Sequence, residues 1–240
     1  MFRFITLTAA AGALTLGSLA CAVPASAAVP AAATATPAPN AHSSLSEIQR
    51  AGAIATANRI RDLTTGIAKV NTTSTLSAED KSTVLATLNH DMSGMQGLQS
   101  KIAADTAASV ALTDYRSIFT GYRVYVVGLQ QSHIAAAADG LADTAIPKLQ
   151  TAASRIAAVF AADPSKATPD LQAKLADMQA KIADAVSKTN GLAAGALAVT
   201  PDAYNANHAV LVDDRAALRE ALADSKAAAQ DGRAILAALR

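Results

Sequence analysis

The stretch TPDLQAKLADMQAKIADAVSKTNGLAA, residues 168–194, decides the fold class. Thr168 followed by Pro169 is a helix start: a hydroxyl free to cap, then a ring pre-set for the first helical position. From there Leu171, Leu175, Met178, Ile182, Ala185, Thr189, Leu192 and Ala196 recur at steps that alternate between four and three. Such a 3.5-residue repeat keeps one seam facing a neighbouring helix and implies left-handed knobs-into-holes packing. Thr200-Pro201 repeats the start signal. Leu211, Arg215, Leu218, Leu222, Ser225, Ala229, Gly232, Leu236 and Leu239 then alternate in the same way. Small side chains in both seams let the backbones approach closely. Two long helices with short connections predict an all-α fold, an elongated up-down bundle with coiled-coil-like antiparallel hairpins.

Upstream, a first helix is expected from Ser44 or Ser46 to about Val70. Its apolar side is Leu45, Ile48, Ile54, Ile60, Leu63, Ile67 and Val70. The polar run 71–75 breaks it. Ser77, with Asp80 three residues on, caps a second helix carrying Leu85, Leu88, Met92, Met95, Leu98 and Ile102. Asp105 or Thr106 is placed to cap a third helix through Phe119. Residues 121–128 (GYRVYVVG) are β-branched between glycines and read as a break or an extended stretch. Helix resumes near Gln130. Pro147 either kinks it or opens a new helix, along which Leu149, Ala153, Ile156 and Phe160 share a face up to Asp163-Pro164. Residues 44–240 are therefore expected to form a single helical-bundle domain.

The amino terminus reads as an export signal. Arg3 is followed by an uncharged apolar run from Ile5 to Val23, then Pro24-Ala25-Ser26-Ala27. Ala25 and Ala27 suit the small pockets of a signal peptidase, which predicts cleavage after Ala27 and a signal peptide of residues 1–27. A retained membrane anchor and a lipidated Cys21 are the alternatives. Ser18 stands where a lipobox carries leucine. Residues 28–43, rich in Ala, Pro and Thr and without charge, read as a disordered tether.

Removing residues 1–27 takes away Arg3 and Cys21 and leaves 19 basic against 19 acidic side chains. A neutral chain with no basic stripe does not predict nucleic-acid binding. A chain without cysteine offers no thiol and no disulfide. No later apolar run is long enough to predict a membrane span after cleavage. The histidines, His42, His90, His133 and His208, have no zinc-motif spacing. His90 with Met92 and Met95 invites a soft metal site, but the two methionines share the core face and His90 does not. No nucleophile elbow, phosphate loop or dinucleotide motif is present, and Asp213-Asp214 read as a solvated pair. Gly94 and Gly97 lie inside the second helix, where they permit close packing. No catalytic residue, metal ligand or cofactor site is expected.

One segment stands apart. With residues 1–27 removed the chain has six aromatic residues, and Tyr115, Phe119, Tyr122 and Tyr125 fall within eleven positions. The first three are spaced to share a helical face, with Arg116 and Arg123 beside them. Aromatics with arginine make a candidate contact patch for a glycan, a polyphenol or a protein; the plainer reading is a plug of rings at one end of an alanine-lined bundle, with the arginines paired to aspartates.

The Asp114-Tyr115 and Tyr122-Arg123-Val124-Tyr125 block, with Thr200-Pro201 and Tyr204-Asn205, resembles a group of uncharacterised, alanine-rich secreted helical proteins of high-GC Gram-positive bacteria (actinobacteria). The resemblance implies export and a helical bundle, and assigns no catalytic residue. The expected role is non-enzymatic: a structural or protein-interaction function, secreted or associated with the cell wall, with an unknown protein or envelope component as partner. A carrier of small apolar ligands is the first alternative and an enzyme of unknown class the second. The helix faces also allow self-association.

Overall fold

The computed structural model describes residues 38–240 and is an all-α bundle, with no strand among the described residues. The expected signal peptide 1–27 with Ala25 and Ala27, Cys21 and the start of the expected tether lie outside the described residues. The end of the tether departs from expectation. Asn40–Ser43 close into a turn, the Asn40 amide donating to Ser43 Oγ and the Ser43 amide to the Asn40 carbonyl.

That turn delivers Ser44, the N-cap of α1 (Leu45–Thr72). The Glu47 amide donates to Ser44 Oγ and the Ser44 amide donates to Glu47 Oε2, a reciprocal capping box. Ser44→Ala is expected to cost about 1 kcal/mol and to speed amide exchange in the first turn of α1. Denaturant melts with exchange measurements check both. Ser77 caps α2 (Ala78–Ala104) through the Asp80 amide, as expected. The two helices form an antiparallel hairpin: Gln49 near the start of α1 donates to the carbonyls of Ala103 and Asp105, while Lys81 reaches back to the Asn71 carbonyl. Ile54 is exposed, so the buried line of α1 runs instead through Ile48, Gly52, Thr56 and Leu63.

Neither Asp105 nor Thr106 caps the third helix. α3 (Ala108–Thr120) follows Ala107, with no side-chain cap. Asp105 closes α2 instead, its amide donating to the Lys101 carbonyl. α4 (Gly128–Asp139) passes through a π-helical turn (Gly140–Ala145) into α5 (Ile146–Ala162) without a break. The Ile146 amide reaches five residues back to Leu141, so the chain widens just before Pro147, which has no N–H to give. α6 (Pro169–Thr189) starts at its Thr168 cap as expected. It does not continue to Ala196: Gly191 turns left-handed at φ 70°, and a separate α7 (Leu192–Leu197) follows. Thr200-Pro201 likewise opens only a short α8 (Pro201–Ala206), before the long α9 (Val212–Ala238).

α6 and α9 pack antiparallel. Met178 touches Gly232, Lys181 pairs with Asp231 at 2.7 Å, and Lys188 with Asp224 at 2.7 Å. The α9 seam is offset from the expected one. Its buried positions are Ala221, Ser225, Ala228, Gly232 and Ile235, flanked by Leu218 and Leu239, while Arg215 is exposed. Ala229 is buried as well, because α9 packs against α5 in addition to α6 and its apolar face is wider than one seam.

Two apolar cores result. The first gathers Leu63, Leu88, Met95, Ile102 and Ile118 from α1–α3, closed by α4 and α7. The second gathers Leu149, Ile156, Met178, Ile182 and Ile235 from α5, α6 and α9. The rod from α4 to α5 runs from one to the other, and Leu218 packs against both.

Candidate functional site

Between α3 and α4 the chain makes a compact turn, residues 121–127. It is neither helix nor strand. Arg123 takes a left-handed backbone at φ 50°, uncommon for a residue with a Cβ. Its carbonyl accepts from the amides of Val126 and Val127 at 3.1 and 2.8 Å. The β-branched residues are divided rather than laid out: Val124 and Val127 are buried in the bundle, while Tyr125 and Val126 remain exposed at 39% and 38%.

Side chains from distant helices hold this turn. Arg123 Nε donates to Asn205 Oδ1 at 2.6 Å, and Asn205 Nδ2 donates to the Thr120 carbonyl at 2.8 Å, so α8 straps the end of α3. The Arg123 guanidinium also lies over the Tyr204 ring. On the other side the Tyr125 hydroxyl donates to Asp62 Oδ2 at 2.8 Å. The Arg59 guanidinium sits 4.5 Å from the Phe119 ring centre and 4.8 Å from that of Tyr125. Burial, with the Asp62 hydrogen bond second, pushes the Tyr125 phenol up to about 12. In a site-resolved NMR titration Tyr125 is therefore expected to ionise near pH 12. In Asp62→Ala the midpoint falls, but stays above the ordinary tyrosine value because burial, the larger cause, remains.

The expected patch is thus split. Tyr115 is buried and meets Phe119 edge-on at 5.1 Å, both beside Arg59. Tyr122 lies past the end of α3 and faces α2 instead. Its ring is 5.9 Å from that of His90 and covers Gly94, where any Cβ would overlap it. Gly97, by contrast, faces open space. Arg116 is exposed and joins neither group. Arg59, Asp62 and Asn205, which complete the turn, lie 60 residues or more away in sequence and carry no local signal.

Behind Tyr122 is a cavity of about 260 Å³ between α2, α4 and the end of α7, its wall including Thr87, His90, Asp91, Gln131 and Thr200. Gln131, almost fully buried, donates its amide nitrogen to the carbonyls of Ala196 and Val199 at 2.8 and 2.5 Å, which fixes that end of α7. Asp91 is 4% exposed, and its Oδ2 accepts no hydrogen bond. That oxygen lies against Gly128, where a Cβ would come within 2.8 Å of it. Burial pushes the Asp91 carboxyl up to about 6, against a weaker opposing pull from His90. His90 is exposed and Met95 is buried, as the periodicity implies. No motif announces Asp91, but it stands in the buried line Val84, Leu88, Asp91, Met95 of α2, so an acid at a seam position was the signal available in the sequence.

Among the described residues no group of three or more His, Cys, Asp or Glu side chains could hold a metal ion, and no helix is long and apolar enough to cross a membrane. No protein-family model, curated protein or solved structure matches the chain.

Proposed function

We propose that the protein is an exported, non-enzymatic binding module that engages a protein or envelope component, at the cell wall or outside the cell, through the 121–127 turn. The observation that carries this reading is the turn itself. A non-glycine residue is held in a left-handed conformation that costs on the order of 1 kcal/mol, and the result is to keep Tyr125 and Val126 at the surface. A turn needed only to join α3 to α4 would not require that strain or its two distant clamps at Asn205 and Asp62. A tyrosine held by a hydrogen bond and a cation–π contact is pre-organised, and so loses little entropy on binding. Of the three rings that the apolar-carrier alternative would gather at one pocket, Tyr115 and Phe119 pack with the first core and Tyr122 lines a cavity.

The test compares retention of the wild-type chain and of the double variant Tyr125→Ala/Val126→Asp on purified cell walls of the producing organism and on proteins extracted from them. Retention of the wild type and its loss in a variant with unchanged melting temperature is the expected result. Equal retention of both, or of neither, removes the proposal. Mass spectrometry of the exported protein checks the other half: the mature chain is expected to begin at Ala28.

A further inference from the structure

The cavity behind Tyr122 poses a separate question, since nothing in the turn explains a carboxylate buried there. Asp91 has one oxygen sealed against Gly128 without a hydrogen bond, and no lysine or arginine pairs with it among the described residues. Buried carboxylates are normally paired, because stripping water from an unpaired charge is costly. A partner missing from the protein is a partner that a ligand can supply.

The lining says what kind. It includes no lysine and no arginine, and its one acid is Asp91. The Tyr122 ring offers a π face, and Thr87 and Thr200 offer hydroxyls that accept as well as donate. The Gln131 amide, the strongest fixed donor nearby, is already committed to the α7 carbonyls and cannot neutralise Asp91. His90 is the one other titratable group acting on Asp91, and it is exposed. A wall with one buried anion, acceptors and a ring face complements a cation that donates hydrogen bonds. A volume of about 260 Å³ is below the usual range for drug-sized ligands.

We propose that this cavity binds a small primary ammonium compound, its –NH₃⁺ group donating to Asp91 Oδ1, the carboxylate oxygen that is not sealed against Gly128, and lying against the Tyr122 ring. The ammonium supplies the missing counter-charge, and its short apolar tail lies along Val127 and Leu197, which also line the cavity. Tyr122 and Val127 belong to the 121–127 turn, so the site adjoins the proposed partner surface, but it faces inward, whereas that surface is carried by Tyr125 and Val126.

The full mature chain is titrated at pH 7.5 with n-butylammonium chloride, n-butanol and sodium butyrate at matched ionic strength, following amide shifts by NMR. The expected result is a saturable shift at Asp91, Tyr122 and Gly128 with butylammonium only. Asp91→Asn, which keeps the shape and removes the charge, is expected to weaken binding by about tenfold or more. The proposal is overturned if butylammonium gives no saturable shift, if butanol or butyrate shifts the same amides equally, or if Asp91→Asn binds as the wild type does. The comparison of the three probes on the wild-type chain decides the matter even if the variant folds poorly.

Discussion

Asp91→Asn is expected to make the unliganded protein more stable at pH 7.5, by about 2–3 kcal/mol, or about 5–10 °C in melting temperature. In the folded chain the Asp91 carboxyl titrates near 6, against 3.8 for an unburied aspartate, and burial is the main cause. The native state therefore binds this proton more tightly than the unfolded state. Stability from this group is fully present below about pH 3.8 and is lost as pH rises through about 6. At pH 7.5 the wild type holds a buried, unpaired charge that asparagine does not have. The gap between variant and wild type should close as pH falls from 7 to 4. Urea melts across that range measure it. A variant less stable than the wild type at pH 7.5, or a gap independent of pH, would show that Asp91 is satisfied in the fold by some other means. A buried charge that costs stability fits the ordinary trade of stability for binding, which connects this result to the proposed ammonium site.

Leu149→Ala is expected to cost about 3–5 kcal/mol, the upper part of the usual range for a buried leucine. Leu149 is fully buried in the second core, on α5 just after Pro147. The penalty depends on how far the surroundings collapse into the space left behind, and here they cannot collapse far. Ala145, Ala152, Ala153, Ala221 and Ala228 supply much of that core, and a methyl group has no rotamer that reaches into a void. Val186→Ala, at a position 40% exposed on the outside of α6, is the control and should lie within about 0.5 kcal/mol of wild type. Chemical denaturation of the pair measures the contrast. A loss at Leu149 no larger than that at Val186 would mean that the alanine-rich core is loosely packed.

The helices themselves were legible because their signals are local. Ser44, Ser77 with Asp80 three residues on, and Thr168 ahead of Pro169 are signals contained within one turn, and each of the three hydroxyls is the N-cap of a helix in the structure. The α6 seam from Leu175 to Thr189 was read correctly, since its buried positions are the apolar ones of the repeat. The α9 seam was displaced at alternate positions because Ala221 and Ala228 adjoin Leu222 and Ala229, and where neighbouring positions are both apolar the period does not say which one lies under the seam. Breaks were harder still. Asn190-Gly191 ends α6 although the apolar repeat runs on through Leu192 and Ala196, which remain buried in α7. Burial pattern and helical continuity are separate properties, and only the first is written in the repeat.

The sequence by itself determined the all-α class, the hairpin pairing and the oddity of residues 115–125, since propensity, capping and periodicity all act within a few residues. Tertiary structure alone decided what that oddity is. It divided the aromatics between two faces, brought Arg59, Asp62 and Asn205 from distant helices to clamp the turn, and sealed Asp91 against Gly128. The physical reason is that a buried charge or a cation over a ring depends on what chain folding places within a few ångströms, and such partners lie tens of residues apart in sequence.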